Sequence, residues 1–288
     1  MNWRKYFEGV VGQSKALDFL SRILESDRPF HGYIFSGPDG VGRFTTATRF
    51  AAALARIPYE KWDSCHHILT IGLEKEQSSI GIDRIRNELI PFFHLRTDTT
   101  AYRTAIIKDS EAMPEEAQNA LLKTLEEPPL RSSIIFIASR AALLPTIVSR
   151  SVIVRFNPLS QTDVEKLLIE SGIDSKKAAE VSVLSSGSVK TALFLIEHDL
   201  IETTQKCANS IVEGYGSFEA IYEALSSLSR PSAAKYCDIL LPIVASKTQD
   251  SIRRYKLCSH IIELKRAIEA NANIRLASLA FSTYLEKI

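Results

Sequence analysis

The feature that most constrains this chain is a change of rhythm at Asn157-Pro158. Before it, short apolar runs alternate with segments of helical period; after it, almost only helical period remains. His31–Ser36 (HGYIFS), Ile68–Ile71, Arg103–Lys108 (RTAIIK), Ser132–Ala138 (SSIIFIA) and Val152–Phe156 (VIVRF) read as strands. Between them, Gly42–Arg56, Ile82–Phe93 and Pro114–Glu127 read as helices, the last begun by an early proline and ended before Pro128-Pro129. Such alternation predicts a mostly parallel sheet covered on both faces. Beyond it, Gln161–Ser171, Ser175–Ser185 and Ser188–Glu197 read as three short helices punctuated at Gly172 and Gly187. Longer helices follow, with turn signals near Gly214–Gly216, Ser229–Pro231 and Asn271–Asn273. The expected plan is an α/β domain over residues 1–157, a small helical domain over 158–205 and an all-α C-terminal domain over 206–288.

Composition narrows the classes of function. The 288 residues hold 35 Lys and Arg against 34 Asp and Glu, which argues against a broad basic field gripping nucleic acid unaided. None of Cys65, Cys207, Cys237 and Cys258 forms a CxxC pair, so neither a zinc ribbon nor a thioredoxin-like site is indicated. Scattered thiols suit a reducing cytoplasm. No apolar run has the length of a membrane span, and the N-terminal residues lack a signal-peptide core. A cytoplasmic protein without membrane partners is expected.

Gly37-Pro-Asp-Gly-Val-Gly-Arg43-Phe44 follows a strand and opens a helix, the context of a phosphate-binding loop. Gly37, Gly40 and Gly42 would let backbone N–H groups turn inward, and the helix N-terminus adds partial positive charge. A working loop places Lys and then Ser or Thr after the last glycine; here Arg43 and Phe44 stand there. Arg43 keeps the charge in a bulkier, planar form, Phe44 cannot ligate a metal, and Thr45 is displaced by about 100° round the helix. The plainer reading is a glycine turn that serves only the fold, with ATP binding weak or absent.

Ala117-Gln-Asn-Ala-Leu-Leu-Lys-Thr-Leu-Glu-Glu-Pro-Pro129 resembles the segment after the Walker B strand in bacterial clamp-loader subunits. Val11-Gly12-Gln13, Leu144-Pro-Thr-Ile-Val-Ser149-Arg150-Ser151 and Asn273-Ile-Arg275-Leu276-Ala277 resemble other stretches of that family, in order along the chain. The resemblance implies an AAA+-like domain, a helical lid and a collar that builds a hetero-oligomer. The implied partners are motor subunits of gamma/tau type and a delta subunit, with the sliding clamp and primed-template DNA reached through the assembly.

That family ends its Walker B strand in Asp-Glu. Counting back from Met113 without gaps puts Lys108 and Asp109 there. At about 4 Å, like unit charges repel by roughly 1 kcal/mol in water and roughly 4 kcal/mol at an effective dielectric near 20, so Lys108 opposes magnesium. A one-residue slip would give Asp109 the metal role, and both registers stay open; a solvated strand-end lysine in a site with no duty is the plainer account. In the lid, Gly187-Ser-Val-Lys190-Thr191-Ala192-Leu193 has Thr191 where the family often has a nucleotide-sensing arginine. Only Cys65, beside His66 and His67, remains of the family's four-cysteine zinc module, so no metal site is expected.

The resemblance makes Arg150 a finger directed at a neighbouring subunit's ATP, with Ser149 beside it and Ser151 in place of the family's cysteine. The bland alternative is a surface arginine leading into a strand. The implied role is a subunit that helps load the clamp in replication without intrinsic ATPase activity. Two other readings fit these residues: an active gamma-type ATPase, needing Arg43 and a slipped Asp109 to suffice, and a DNA-binding adaptor with a borrowed fold. Glu126-Glu127 at a helix end, and the pairs Arg253-Arg254 and Lys265-Arg266, read as solvated surface.

Overall fold

The computed structural model describes residues 3–74, 77–95, 100–138, 143–214 and 217–285 (of Ser217, the backbone alone). The chain divides into two compact units, residues 1–159 and 160–288.

Within the first unit, five described strands form one sheet: β1 (Gly32–Ser36), β2 (Ile68–Ile71), β3 (Arg103–Ile107), β4 (Ser132–Ala138) and β5 (Val152–Arg155). Their order is β2-β3-β4-β1-β5, and every pairing is parallel. All residues of β3 and β4 are buried, whereas the edge strands β2 and β5 are part exposed. Such burial is why the inner strands read as continuous Ile-rich runs rather than as alternation. Ile71, Ile107, Phe136, Ile85, Leu121 and Ile147 pack in the core on one side. Around Tyr33, Phe35 and Phe50, edge-to-face rings meet buried alanines of the helix Arg43–Leu54.

Chain order puts the β1–β2 crossover past two strands. The glycine loop after β1 and the chain leaving β3 therefore both lie at the carboxyl edge of the sheet, where ligands of open α/β sheets gather. One glycine is needed at β1's amino end: a Cβ on Gly32 would run into Ser151 Oγ and stand 3.0 Å from the Arg150 carbonyl.

Two helices expected to be continuous are interrupted. Over 82–94 a π-helical segment, Ile85–Leu89, joins Ile82–Arg84 to Ile90–His94, and the Ile90 N–H reaches the Ile85 carbonyl. Pro91 has no N–H to give four residues back, which favours the wider turn there. Over 115–126 the break falls at Leu121, whose N–H bonds three residues back to Gln118. The helices Ser14–Ser26 and Pro145–Val148 belong to segments read only as motifs or left unread in the sequence.

The second unit is helical throughout its described residues: Gln161–Glu170, Ser175–Leu184, Val189–Glu197, Ile201–Glu213, Ser217–Ser226, Arg230–Lys247, Ser251–Glu269 and Ile274–Leu285. Side-chain caps start several of these at the expected punctuation, with Ser160, Asp174, Ser188, Ser229 and Asp250 accepting from backbone N–H groups. Part of the turn read near Gly214, residues 215–216, lies outside the described residues. Among the described residues no single helix is long and apolar enough to cross a membrane.

Cys207 and Cys237 are fully buried here, and burial pushes the Cys207 thiol up to about 11 and the Cys237 thiol up to about 12. Buried Tyr33 and Tyr236 shift upward for the same reason. All four groups favour their neutral form in the fold; the contribution of the two thiols is complete below their unfolded value near 9 and is lost as pH rises through 11 to 12. Urea titrations from pH 8 to 12 should show unfolding free energy falling from about pH 9 upward. A flat profile over that range would contradict the burial of these groups.

Candidate functional site

The glycine loop has the backbone of a phosphate cradle. Gly40 and Gly42 have φ of 73° and 92°, in the left-handed region where a side chain is strained. A Cβ on Gly37 would overlap the Phe156 carbonyl, so the loop leaves β1 pressed against the chain that leaves β5. Gln13, buried at the entry to the first long helix, stitches this region together. Its Nε2 donates to the carbonyls of Val41 at 3.3 Å and Asn157 at 2.8 Å, and its Oε1 accepts from the Asn157 N–H at 3.1 Å.

The polar side chains of this loop bond within their own segment. Arg43 is buried, and its Nη2 donates to Asp39 at 2.7 Å, turning its charge on the loop's own carboxylate. Thr46 Oγ1 is spent on the Gly42 carbonyl at 2.8 Å, and Thr45 faces solvent. Phe44 projects from the helix start and meets the edge of Trp62, with ring centroids 5.8 Å apart. Over its ring, at 4.6 Å, lies the Lys108 ammonium from the end of β3. Two residues singled out in separate sequence elements are thus brought into one contact. A cation over an aromatic face contributes about 0.5–2 kcal/mol, depending on exposure, and this one puts a cation beside the place where the loop would need a hydroxyl for a metal.

Asp109, the alternative metal ligand, is exposed and left-handed at φ 49°. The next residue, Ser110, turns inward, and its Oγ donates to the Ile137 carbonyl at 2.9 Å. Around Cys65, His66 and His67, Arg103 Nη1 donates to the His66 carbonyl at 3.1 Å. Burial, followed by the Arg103 charge, pulls the His67 imidazole below its ordinary range. A cation here again opposes a metal, and among the described residues no three His, Cys, Asp or Glu side chains converge as a metal set.

Arg150 lies at the other edge of the sheet. It stands two residues before β5, and Tyr33 near the start of β1 pairs with Val152. The glycine loop begins past the far end of β1. At about 3.3 Å per residue the two sites are separated by roughly 15 Å of strand. The guanidinium is part exposed; Nη2 donates to Glu126 at 2.8 Å, and Nη1 donates to the Thr146 carbonyl at 3.0 Å and Ser149 Oγ at 3.2 Å. Ser149 in turn donates to the Thr146 carbonyl at 3.1 Å.

Gln118 and Gln13 went unrecognised in the sequence as structural clamps. Gln118 is buried; its Nε2 donates to the Met113 carbonyl at 3.0 Å and its Oε1 accepts from Leu144 N–H at 2.8 Å. It thereby pins the segment that carries Arg150 to the helix Glu115–Ala120. Each lies within a quoted motif, Val11-Gly12-Gln13 and Ala117–Pro129, but its flanking residues (Gly12 and Ser14, Ala117 and Asn119) give no sign that it is buried. The basic pairs read as solvated surface are partly engaged locally: Arg254 donates to the Thr248 and Gln249 carbonyls, and Lys265 reaches both oxygens of Asp238.

Comparison with known proteins agrees with this architecture. The family model described as "DNA polymerase III, delta subunit" matches residues 12–160. A DNA polymerase III subunit gamma from Buchnera aphidicola (Acyrthosiphon pisum symbiont) is 26% identical over 215 residues, covering 68% of this chain and 59% of that protein. Replication factor C subunit 3 of Saccharomyces cerevisiae is 26% identical over 234 residues, covering 78% of this chain and 64% of its own. This chain therefore spans less than two thirds of either relative's length. Among solved structures, a DNA polymerase III gamma subunit-related protein from Thermotoga maritima superposes with a TM-score of 0.57 at 21% identity, covering 93% of this chain and 98% of that one. Thermotoga maritima RuvB superposes with a TM-score of 0.52 at 13% identity, over 98% and 89% respectively, a likeness of fold alone. The chain belongs to the DNA polymerase III delta-subunit family, a replication clamp-loader family, and its first unit has the AAA+-like fold.

Proposed function

We propose that this chain is a delta-prime-type clamp-loader subunit: it handles no ATP of its own and presents Arg150 to the ATP of an adjacent motor subunit. The observation that carries the first half is the Lys108 ammonium seated 4.6 Å over the Phe44 ring, where a working loop would place its metal hydroxyl and carboxylate. The second half is supported by the placement of Arg150 across the sheet from the chain's own loop. A guanidinium that cannot reach its own pocket but is part exposed on a pinned segment is suited to a site on another chain. A finger supplied in trans stabilises charge developing on the transferred phosphoryl group and contributes roughly 10³–10⁵ in rate.

In this reading the helical second unit comprises a lid over residues 158–205 and a collar over 206–288. Support for the collar comes from apolar side chains left outside: Ile252 is 69% exposed, Tyr255 75%, Leu276 65% and Leu279 51%. Faces of this kind are suited to helix packing between subunits. The partners would be gamma/tau-type motor subunits and a delta subunit, with the clamp and primed-template DNA engaged by the assembly.

Isolated chain titrated with a fluorescent ATP analogue and magnesium should show binding weaker than about 1 mM, and no phosphate release. The paired variant Phe44→Thr, Lys108→Asp should gain magnesium-dependent binding. Micromolar magnesium-dependent binding with turnover by the unaltered chain would instead favour the gamma-type motor reading.

Arg150→Ala, incorporated into the loader and checked by size-exclusion chromatography, should slow turnover at the facing ATP site by about 10³-fold in single-turnover assays. Unchanged turnover with full incorporation would refute the finger.

A further inference from the structure

We infer that Glu126 is a positioning residue for Arg150: it holds the guanidinium on its own subunit and hands it over as charge develops on the transferred phosphoryl group of the neighbour's nucleotide. This inference rests on the reading of Arg150 as a finger.

Arg150 makes three described side-chain bonds. Glu126 Oε1 accepts from Nη2 at 2.8 Å, while Nη1 serves the Thr146 carbonyl and Ser149 Oγ. Glu126 and Arg150 come from elements far apart in sequence, the end of the helix Leu122–Glu126 and the turn after Pro145–Val148. Gln118 ties the region of these elements together by accepting the Leu144 N–H, so their meeting is set by the fold rather than by two wandering side chains. Glu127, the adjacent carboxylate, has no described salt bridge and faces solvent, which makes the choice of Glu126 specific.

The pair is built to be given up. The Arg150 side chain is 36% exposed and Glu126 50%, so water screens the attraction. An exposed pair of this kind favours its closed form by a factor of up to about five. A nucleotide triphosphate carries more negative charge than one carboxylate, and its oxygens match the same planar fork. Exchange of carboxylate for phosphate keeps the guanidinium paired throughout, and it frees Glu126 to solvent at little cost because that carboxylate is already half exposed. In the absence of a neighbour, the same contact masks the positive charge and reduces chance binding of other anions. The sequence reading treated Glu126-Glu127 as a solvated helix end; the structure gives the first of the two a partner.

The experiment uses the loader reconstituted from this chain and its own motor and delta subunits, with magnesium-ATP as the probe. Glu126→Gln keeps the shape and removes the charge. It should raise kcat about two- to five-fold with KM unchanged and the thermal midpoint of the free chain lowered by no more than about 4 °C, since the finger acts as charge develops. The gain should vanish in the Arg150→Ala background. A kcat that is unchanged or lower in Glu126→Gln, while Arg150→Ala alone slows turnover, overturns the hand-over and leaves the finger intact. A gain that persists without Arg150 also overturns it. If Arg150→Ala has no effect on turnover, the finger reading falls first and this inference with it.

Discussion

The contact between Lys108 and Phe44 organises the interpretation of everything around it. An ammonium over an aromatic face is drawn there by the ring's electron-rich face, and here the contact lies at the carboxyl edge of the sheet where the glycine loop opens. Trp62 meets the same ring from its edge, so Phe44 is held between an aromatic and a cation. Arg43 is drawn to Asp39 and Thr46 to the Gly42 carbonyl. Polar groups that a phosphate loop would turn toward a ligand are thus turned toward the loop's own backbone and side chains.

Why such a loop persists follows from the packing. Gly37 lies so close to the Phe156 carbonyl that no side chain fits, and buried Gln13 joins Val41 in the loop to Asn157 at the end of the domain. Each of these contacts concerns the path of the backbone rather than the binding of an anion. Leaving the buried amide partners of Gln13 unsatisfied would cost about 1–3 kcal/mol each, which is sufficient reason for the loop to keep its course.

Much of this architecture was legible in the residues. Continuous Ile-rich runs marked β3 and β4 because strands buried on both faces lose their alternation, and glycine, serine and aspartate punctuation marked the later helices because those residues cap ends. Less was legible where backbone hydrogen bonding departs from a regular ladder, as at Leu121 and at the π turn before Pro91, since apolar spacing barely changes across such breaks. At the site, Phe44 and Lys108 could be flagged separately by comparison with a working pocket, but not their contact. Sixty-odd residues separate them, and only the strand order brings the end of β3 to the helix after β1. Arg150 was singled out by its motif; its carboxylate partner was not, because Glu126 and Glu127 are indistinguishable until the turn of the helix end is known.

Strand β1 has a consequence of its own. It is hydrogen-bonded on both sides, to β4 and to β5, in a register where a slip of one residue would exchange the face that takes Tyr33 and Phe35 with the face that takes Ile34. The glycine loop hangs from one end of this strand and Arg150 is anchored beside the other. Their spacing is consequently counted in whole residues of a doubly paired strand, and no loop adjustment can alter it. Side chains at either end are open to exchange, yet the ruler between them is rigid, so the glycine loop and Arg150 stand a fixed step apart.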